Sequence, residues 1–218
     1  MESEIVTLFT WEDVIIETNT KMLETELKLQ KAFINLVRTR GFDQLSVQQL
    51  TQTAGIIRGT FYLHYLDKYD LLTHYENSIV TDIADIFRRY PKPGSRPAAT
   101  ETDNDAFYQL FKYLYRQREL AALLLNEPAA HMGRKVKLLI STVLITAKED
   151  PSQPTIDFPP AFAQEIVTTG IIDLIVFWLQ QTPVLSPQAA YRIFRTSRQL
   201  TPAQLTAIVT QAKQPPNA

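Results

Sequence analysis

The chain has 218 residues, 45% of them hydrophobic and 21% charged, with 13 Pro, 6 Gly and a formal net charge of −1. This balance excludes a disordered or collagen-like chain, and the near-neutral charge argues against a generally basic nucleic-acid binder. The complete lack of Cys excludes a disulfide scaffold and a thiolate metal site.

The distribution of residues says more than the totals. Every proline follows position 90, while Gly41, Gly55 and Gly59 fall within one short stretch. The first 90 residues therefore run without a strong helix breaker. Residues 1–24 hold six acids (Glu2, Glu4, Glu12, Asp13, Glu17, Glu24) against Lys21, whereas residues 25–75 hold a mild local excess of bases. The opening MESEIVTLFTWED is acidic and lacks the apolar core of a secretory signal. No apolar run approaches the roughly 18 residues of a membrane span. The best stretch, IIDLIVFWL, is short and interrupted by Asp173, so the chain reads as soluble, cytoplasmic and not membrane-bound.

Helical periodicity dominates from the amino terminus onward, and the expected class is all-α. Thr10, Trp11 and Asp13 form an imperfect capping box, which predicts a short helix within an acidic extension over 1–24. From Thr25 to Arg40, Leu29, Phe33, Leu36 and Val37 recur at i, i+4, i+7 and i+8, and Gly41 follows as a stop. Ser46 then precedes Val47, Leu50 and Ala54, with Gln49 placed as its capping-box partner and Gly55 as the end of a two-turn helix. Another short helix is expected over Arg58 to Leu63. Asp67 caps a long helix reaching about Tyr90, with Leu71, Leu72, Tyr75, Ile79, Ile83 and Ile86 or Phe87 on one stripe. PKPGSRPAATETDND reads as a linker. Beyond it, helices are expected over 105–126, 129–148, 160–181, 187–199 and 202–213, several opened by a first-turn proline.

Two short helices joined by a tight glycine turn, with one helix before and a long one after, describe a helix-turn-helix unit over 25–72, followed by a helical domain over 73–218. In the second short helix Arg58 suits a guanine edge or phosphate, Gly59 lets the backbone come close to DNA, and Thr60 suits a thymine methyl or a polar base edge. Tyr62 and His64 suit phosphate oxygens, while Phe61 faces inward. Ser46, opening a helix whose N–H groups attract anions, and Lys68, in the first turn of the long helix, are two further phosphate clamps.

Those residues also carry a resemblance. From Gln30 to Leu72 the chain resembles the DNA-binding domain of the tetracycline-repressor (TetR) family, in Gly41-Phe42, Ser46-Val47, Ala54-Gly55-Ile56, Gly59-Thr60-Phe61-Tyr62, His64-Tyr65 and Asp67-Lys68. The resemblance implies a homodimeric transcription factor, usually a repressor of a pseudo-palindromic operator, whose carboxy-terminal helices dimerise and bind a small-molecule effector. Its DNA contacts fall here on Ser46, Arg58, Gly59, Thr60, Tyr62, His64 and Lys68. Ile57 stands where the family often has a small polar residue and Leu63 where an aromatic is common, and the acidic extension exceeds the usual lead-in. The stretch FPPAFAQEIVTTGIIDLIVFWLQQTPVLSPQAAYRIFRTS is similar to the last helices of regulators of dihydroxyacetone kinase operons, whose paired helices form the dimer's four-helix bundle. Independently, a helix apolar on all sides must be covered on more than one of them. The expected dimer residues are Ile166, Gly170, Ile171, Leu174 and Trp178.

An effector pocket is expected beside Tyr108, Tyr115 and Asp173. Phe107, Phe111 and Leu114 read as plain core, and Arg134, Lys135 and Lys137 as a solvated face. Enzyme chemistry has little support: His64, His74 and His131 lack metal-ligand spacing, no glycine-rich phosphate loop exists, and the carboxylates are scattered. No cofactor is expected. A rival reading keeps the fold but replaces operator reading by binding of a protein partner.

Overall fold

The computed structural model describes residues 11–90, 105–145 and 157–211. Ten helices account for their regular structure: α1 (Trp11–Arg40), α2 (Val47–Ala54), α3 (Arg58–Tyr62), α4 (Lys68–Arg89), α5 (Ala106–Arg116), α6 (Arg118–Asn126), α7 (Met132–Ile145), α8 (Pro160–Gln180), α9 (Pro187–Ser197) and α10 (Pro202–Gln211). The described residues fall into two compact units, one running from α1 to residue 77 and including 126–130, the other holding the remaining described residues from 78 onward. Helix α4 begins in the first and ends in the second.

In the first unit the expected capping chemistry is present. Ser46 accepts from the Gln49 N–H at 3.2 Å, and Gln49 Oε1 in turn accepts from the Ser46 N–H at 3.0 Å. Gly55 closes α2 in the left-handed conformation at φ 66°, ψ 35°, which a side chain would oppose. Asp67 Oδ1 accepts from the N–H groups of Tyr69 and Asp70 and so opens α4. Phe33, Phe42, Leu50, Phe61 and Leu71 are fully buried, and Phe33 meets Phe42 and Tyr75 edge to face. On α4 the stripe closes on Phe87, not Ile86.

Two expectations are corrected. No separate short helix precedes residue 25, because α1 is one continuous helix from Trp11. Nothing between Trp11 and Thr25 is Gly or Pro, so no local signal stops it. Thr10 and the linker from Pro91 lie outside the described residues. The helix expected over 105–126 is divided at Gln117, whose φ of −97° and ψ of 16° leave the helical region. The Gln117 N–H still bonds to the Tyr113 carbonyl and its own carbonyl accepts from the Ala121 N–H. The apolar periodicity therefore runs across the break almost undisturbed.

The second unit is held by aromatic rings. Phe111 lies 4.9 Å from Trp178 and 5.5 Å from Phe194, centroid to centroid, and Phe107 stacks on Phe194 at 4.8 Å. Asp105 caps α5 and also accepts from the Tyr191 hydroxyl of α9.

Three phenols are held neutral. Burial, followed by a neighbouring carboxylate, pushes Tyr65 (beside Glu26), Tyr75 (near Glu26) and Tyr113 (beside Asp82) well above the ordinary tyrosine range. A phenol whose pKa is raised by folding contributes stability that is complete below the unfolded value of about 10 and declines as pH climbs above it. A spectrophotometric titration should therefore find that three of the nine tyrosines ionise only with unfolding. Ionisation of all nine in a single reversible step with the fold intact would contradict this.

Candidate nucleic-acid interface

Helix α3 is only five residues long, and one of them holds it to the body. Phe61 is buried, packing its ring 5.5 Å from that of Tyr65, while Arg58, Gly59 and Tyr62 are exposed and Thr60 is half-buried. His64, just past the helix, is exposed as well. The alternation follows from helical geometry: a one-and-a-half-turn helix anchored through one side chain presents the rest to solvent.

The exposed side chains are ordered among themselves. The Arg58 guanidinium donates to the Tyr62 hydroxyl at 3.0 Å and lies over the Tyr62 ring at 5.4 Å. This i, i+4 pair restrains a long side chain and leaves the Tyr62 hydroxyl hydrogen free to donate outward. At Gly59 an added Cβ would meet nothing within 4 Å, so the chain's own packing does not require glycine there.

Of the two clamps placed by sequence, Ser46 is exposed at the start of α2, with the capping box described above. Lys68 has a role that periodicity could not show. Its ammonium donates to the carbonyls of Phe42 and Asp43, each at 3.0 Å, and sits 4.9 Å from the centre of the Phe42 ring. Lys68 thus ties the turn between α1 and α2 to α4, and keeps one of its three hydrogens for an external acceptor. Ile57 and Leu63, the two departures from the family pattern, are both highly exposed.

The other expected site residues fall differently. Tyr108, Tyr115 and Asp173 are not gathered around one cavity: Tyr108 faces Tyr191, Tyr115 stacks on Trp178, and Asp173 is exposed. Instead, a cavity of about 30 Å³ with a wholly apolar lining lies among Ile83, Phe87, Leu114, Met132, Ile140 and Ile171. Apolar residues drawn from five helices carry no local signal of a void.

Helix α8 is apolar on two opposite sides. One side, with Ile171, Ile175, Trp178 and Leu179, is buried in the chain's own core, and the Trp178 indole donates to the Leu185 carbonyl at 3.0 Å. The other exposes Phe162, Ile166 and Phe177, with Asp173 among them. Ile171 and Trp178 are therefore core residues and not surface for a partner, because they share the stripe that packs on α5. Gly170 is half-buried, where an added Cβ would lie 3.5 Å from the Arg198 guanidinium, and Leu174 lies at the edge between the two sides. By length and composition alone α8 is also apolar enough to cross a membrane, which the unbroken-run criterion overlooked. Among the described residues no cluster of His, Asp or Glu could hold a metal.

Residues 31–75 match the family model for bacterial regulatory proteins of the tetR family. No curated protein is significantly similar to the chain. Among solved structures, a TetR transcriptional regulator from Streptococcus agalactiae superposes with a TM-score of 0.55 at 18% identity, over 84% of this chain and 98% of that one. NalD of Pseudomonas aeruginosa, the secondary repressor of the MexAB-OprM multidrug efflux pump, gives 0.52 at 16% identity, over 79% and 96%. The dihydroxyacetone kinase operon activator DhaS gives 0.50 at 18% identity, over 79% and 93%. At these identities the structural likeness is one of fold, and the helix-turn-helix match carries the function. With its reading helix exposed, the segment 31–75 is a DNA-binding helix-turn-helix of the tetR type, carried on an all-helical fold like that of TetR regulators.

Proposed function

We propose that the protein is a cytoplasmic, homodimeric repressor that leaves a pseudo-palindromic operator when a small apolar effector enters its second unit. The observation that carries this reading is α3: a helix whose single buried anchor, Phe61, leaves Arg58, Gly59, Thr60, Tyr62 and His64 available to a major groove. Arg58, pre-oriented on Tyr62, reads a base edge. Ser46, Tyr62, His64 and the remaining Lys68 hydrogen bind phosphates and set register. The half-sites lie about one DNA turn, 34–36 Å, apart or at a simple departure from it.

Regulation rests on the apolar cavity. Its 30 Å³ is far below the roughly 300–1,000 Å³ of ordinary ligand pockets, so an effector enters only by parting the surrounding helices. Ile83 and Phe87 in its wall belong to α4, the helix that begins in the DNA-binding unit. A ligand that favours the parted arrangement therefore biases α4, and acts only through that differential affinity. NalD, named as a repressor, supports the direction of control, whereas the resemblance to regulators of dihydroxyacetone kinase operons points to the subgroup. The exposed side of α8, with Ile166 and Leu174 beside Phe162 and Phe177, is the dimer face.

Footprinting on the promoter of its own operon at low salt should show a protected palindrome. Arg58→Ala should then alter base preference, and Lys68→Ala should weaken all sequences alike and lower the salt slope by about one. Since Lys68 also ties the α1–α2 turn, its variant should melt earlier as well. No protection at any salt would favour a regulator that acts through a protein partner.

A further inference from the structure

All ten residues of α10 are exposed, and the helix buries nothing. Isolated helices shorter than about 12–15 residues are marginal in water, so α10 lacks the packing that ordinarily sustains such a helix. Its amino terminus is nevertheless prepared for one. Thr201 and Gln204 form a reciprocal capping box, with the Thr201 N–H donating to Gln204 Oε1 at 2.8 Å and the Gln204 N–H to Thr201 Oγ1 at 3.3 Å. Leu205, Ile208 and Val209 fall at i, i+3 and i+4 on one stripe. The remaining face is Gln, Thr and Ala, and from Gln199 to Ala212 there is no charged residue. A helix that stays in solvent ordinarily carries charge on its outer face, and this one carries none.

A matching surface lies close along the chain. A Cβ added at Gly170 would lie 3.5 Å from the Arg198 guanidinium at the end of α9, so the chain returns to the middle of α8 just before α10 begins. The half of α8 on the amino-terminal side of Gly170 exposes Phe162 and Ile166, and residues 161–166 are exposed without interruption. That half-helix and α10 are each about ten residues, or roughly 15 Å, long. Within one chain they leave each other uncovered.

We propose that α10 is an exchanged clasp: in the dimer, α10 of each protomer packs its Leu205, Ile208 and Val209 stripe on the amino-terminal half of the other protomer's α8. The exchange rests on the dimeric reading above and assigns the amino-terminal half of that α8 face to the partner's α10.

The test uses the full chain and exploits its lack of cysteine. Val209→Cys and Phe162→Cys proteins, prepared separately, mixed and treated with a short bismaleimide, should yield a cross-linked heterodimer in excess of either homodimer. Thr210→Cys in place of Val209→Cys should yield little. The double variant should cross-link between chains; a cross-link within one chain would overturn the proposal. In sedimentation experiments Ile208→Glu should raise the dimer dissociation constant at least tenfold, and Thr210→Glu should leave it unchanged. Because Ile208 is exposed in the single chain, loss of folding is not expected, and circular dichroism of each variant checks this. A wild-type protein that is monomeric throughout would sink the dimeric reading together with the clasp. A wild-type dimer whose dissociation constant ignores Ile208→Glu would sink the clasp alone.

Discussion

Replacing Gly59 by alanine is expected to make the protein more stable and a poorer binder of DNA. Gly59 is the second residue of α3 and lies outside the left-handed region, so alanine fits its backbone. The new Cβ meets nothing within 4 Å. In a helix interior, alanine is favoured over glycine by about 0.8–1 kcal/mol, so the melting temperature should rise by about 2–4 °C for a chain of this size. On the proposed operator-bound reading, what the methyl group does meet is the DNA. If Gly59 is there to let the backbone approach, a methyl group holds α3 away, and operator affinity should fall at least tenfold, about 1.4 kcal/mol. Thermal melting and fluorescence anisotropy with a labelled operator read the two effects separately. Unchanged affinity would show that α3 does not approach DNA through Gly59, and a lowered melting temperature would show that the fold itself uses the glycine.

The second large effect is expected at Ile166. It is 63% exposed in the single chain and sits on the side of α8 opposite the core. Ile166→Glu, combined with Phe177→Glu, should leave the protomer folded and turn the dimer into a monomer. The two reading heads then bind independently. Linking two modules multiplies affinity by roughly 10²–10⁴, so the same factor should be lost from operator binding. Sedimentation velocity and anisotropy on the same samples check both outcomes. Ile171→Glu, only five residues away, should instead unfold the chain, because Ile171 is 3% exposed within its own core. A dimer that survives the double substitution would remove this side of α8 from the interface.

The contrast between Ile166 and Ile171 marks where sequence reading stops. The caps were legible because they are local: Ser46 with Gln49, Gly55 and Asp67 each act on a backbone group within a few residues. The inward turn of Phe61 was legible from the neighbouring pattern. On α8 the apolar residues wrap the helix, so periodicity has no phase, and nothing local says which side enters the chain's own core and which is left exposed. The division of α5 from α6 at Gln117 was hidden for a related reason, since the hydrogen-bond ladder almost continues through it. Lys68 was read as a phosphate ligand alone because its carbonyl partners, Phe42 and Asp43, are some 25 positions away. The apolar cavity was missed because a void is a property of five helices together and of no single segment.

The two-sided apolar character of α8 also bears on how the chain is sorted while it is being made. A 21-residue helix is long enough for a bilayer core, and until its core-facing side finds α5 nothing covers either side. Asp173 stands close to the midpoint of that helix. On insertion scales an aspartate at the centre of a membrane helix costs about 2.5–3.5 kcal/mol. Asp173, an exposed carboxylate that contributes nothing to the core, thus raises the cost of inserting the nascent helix into a bilayer by about that amount.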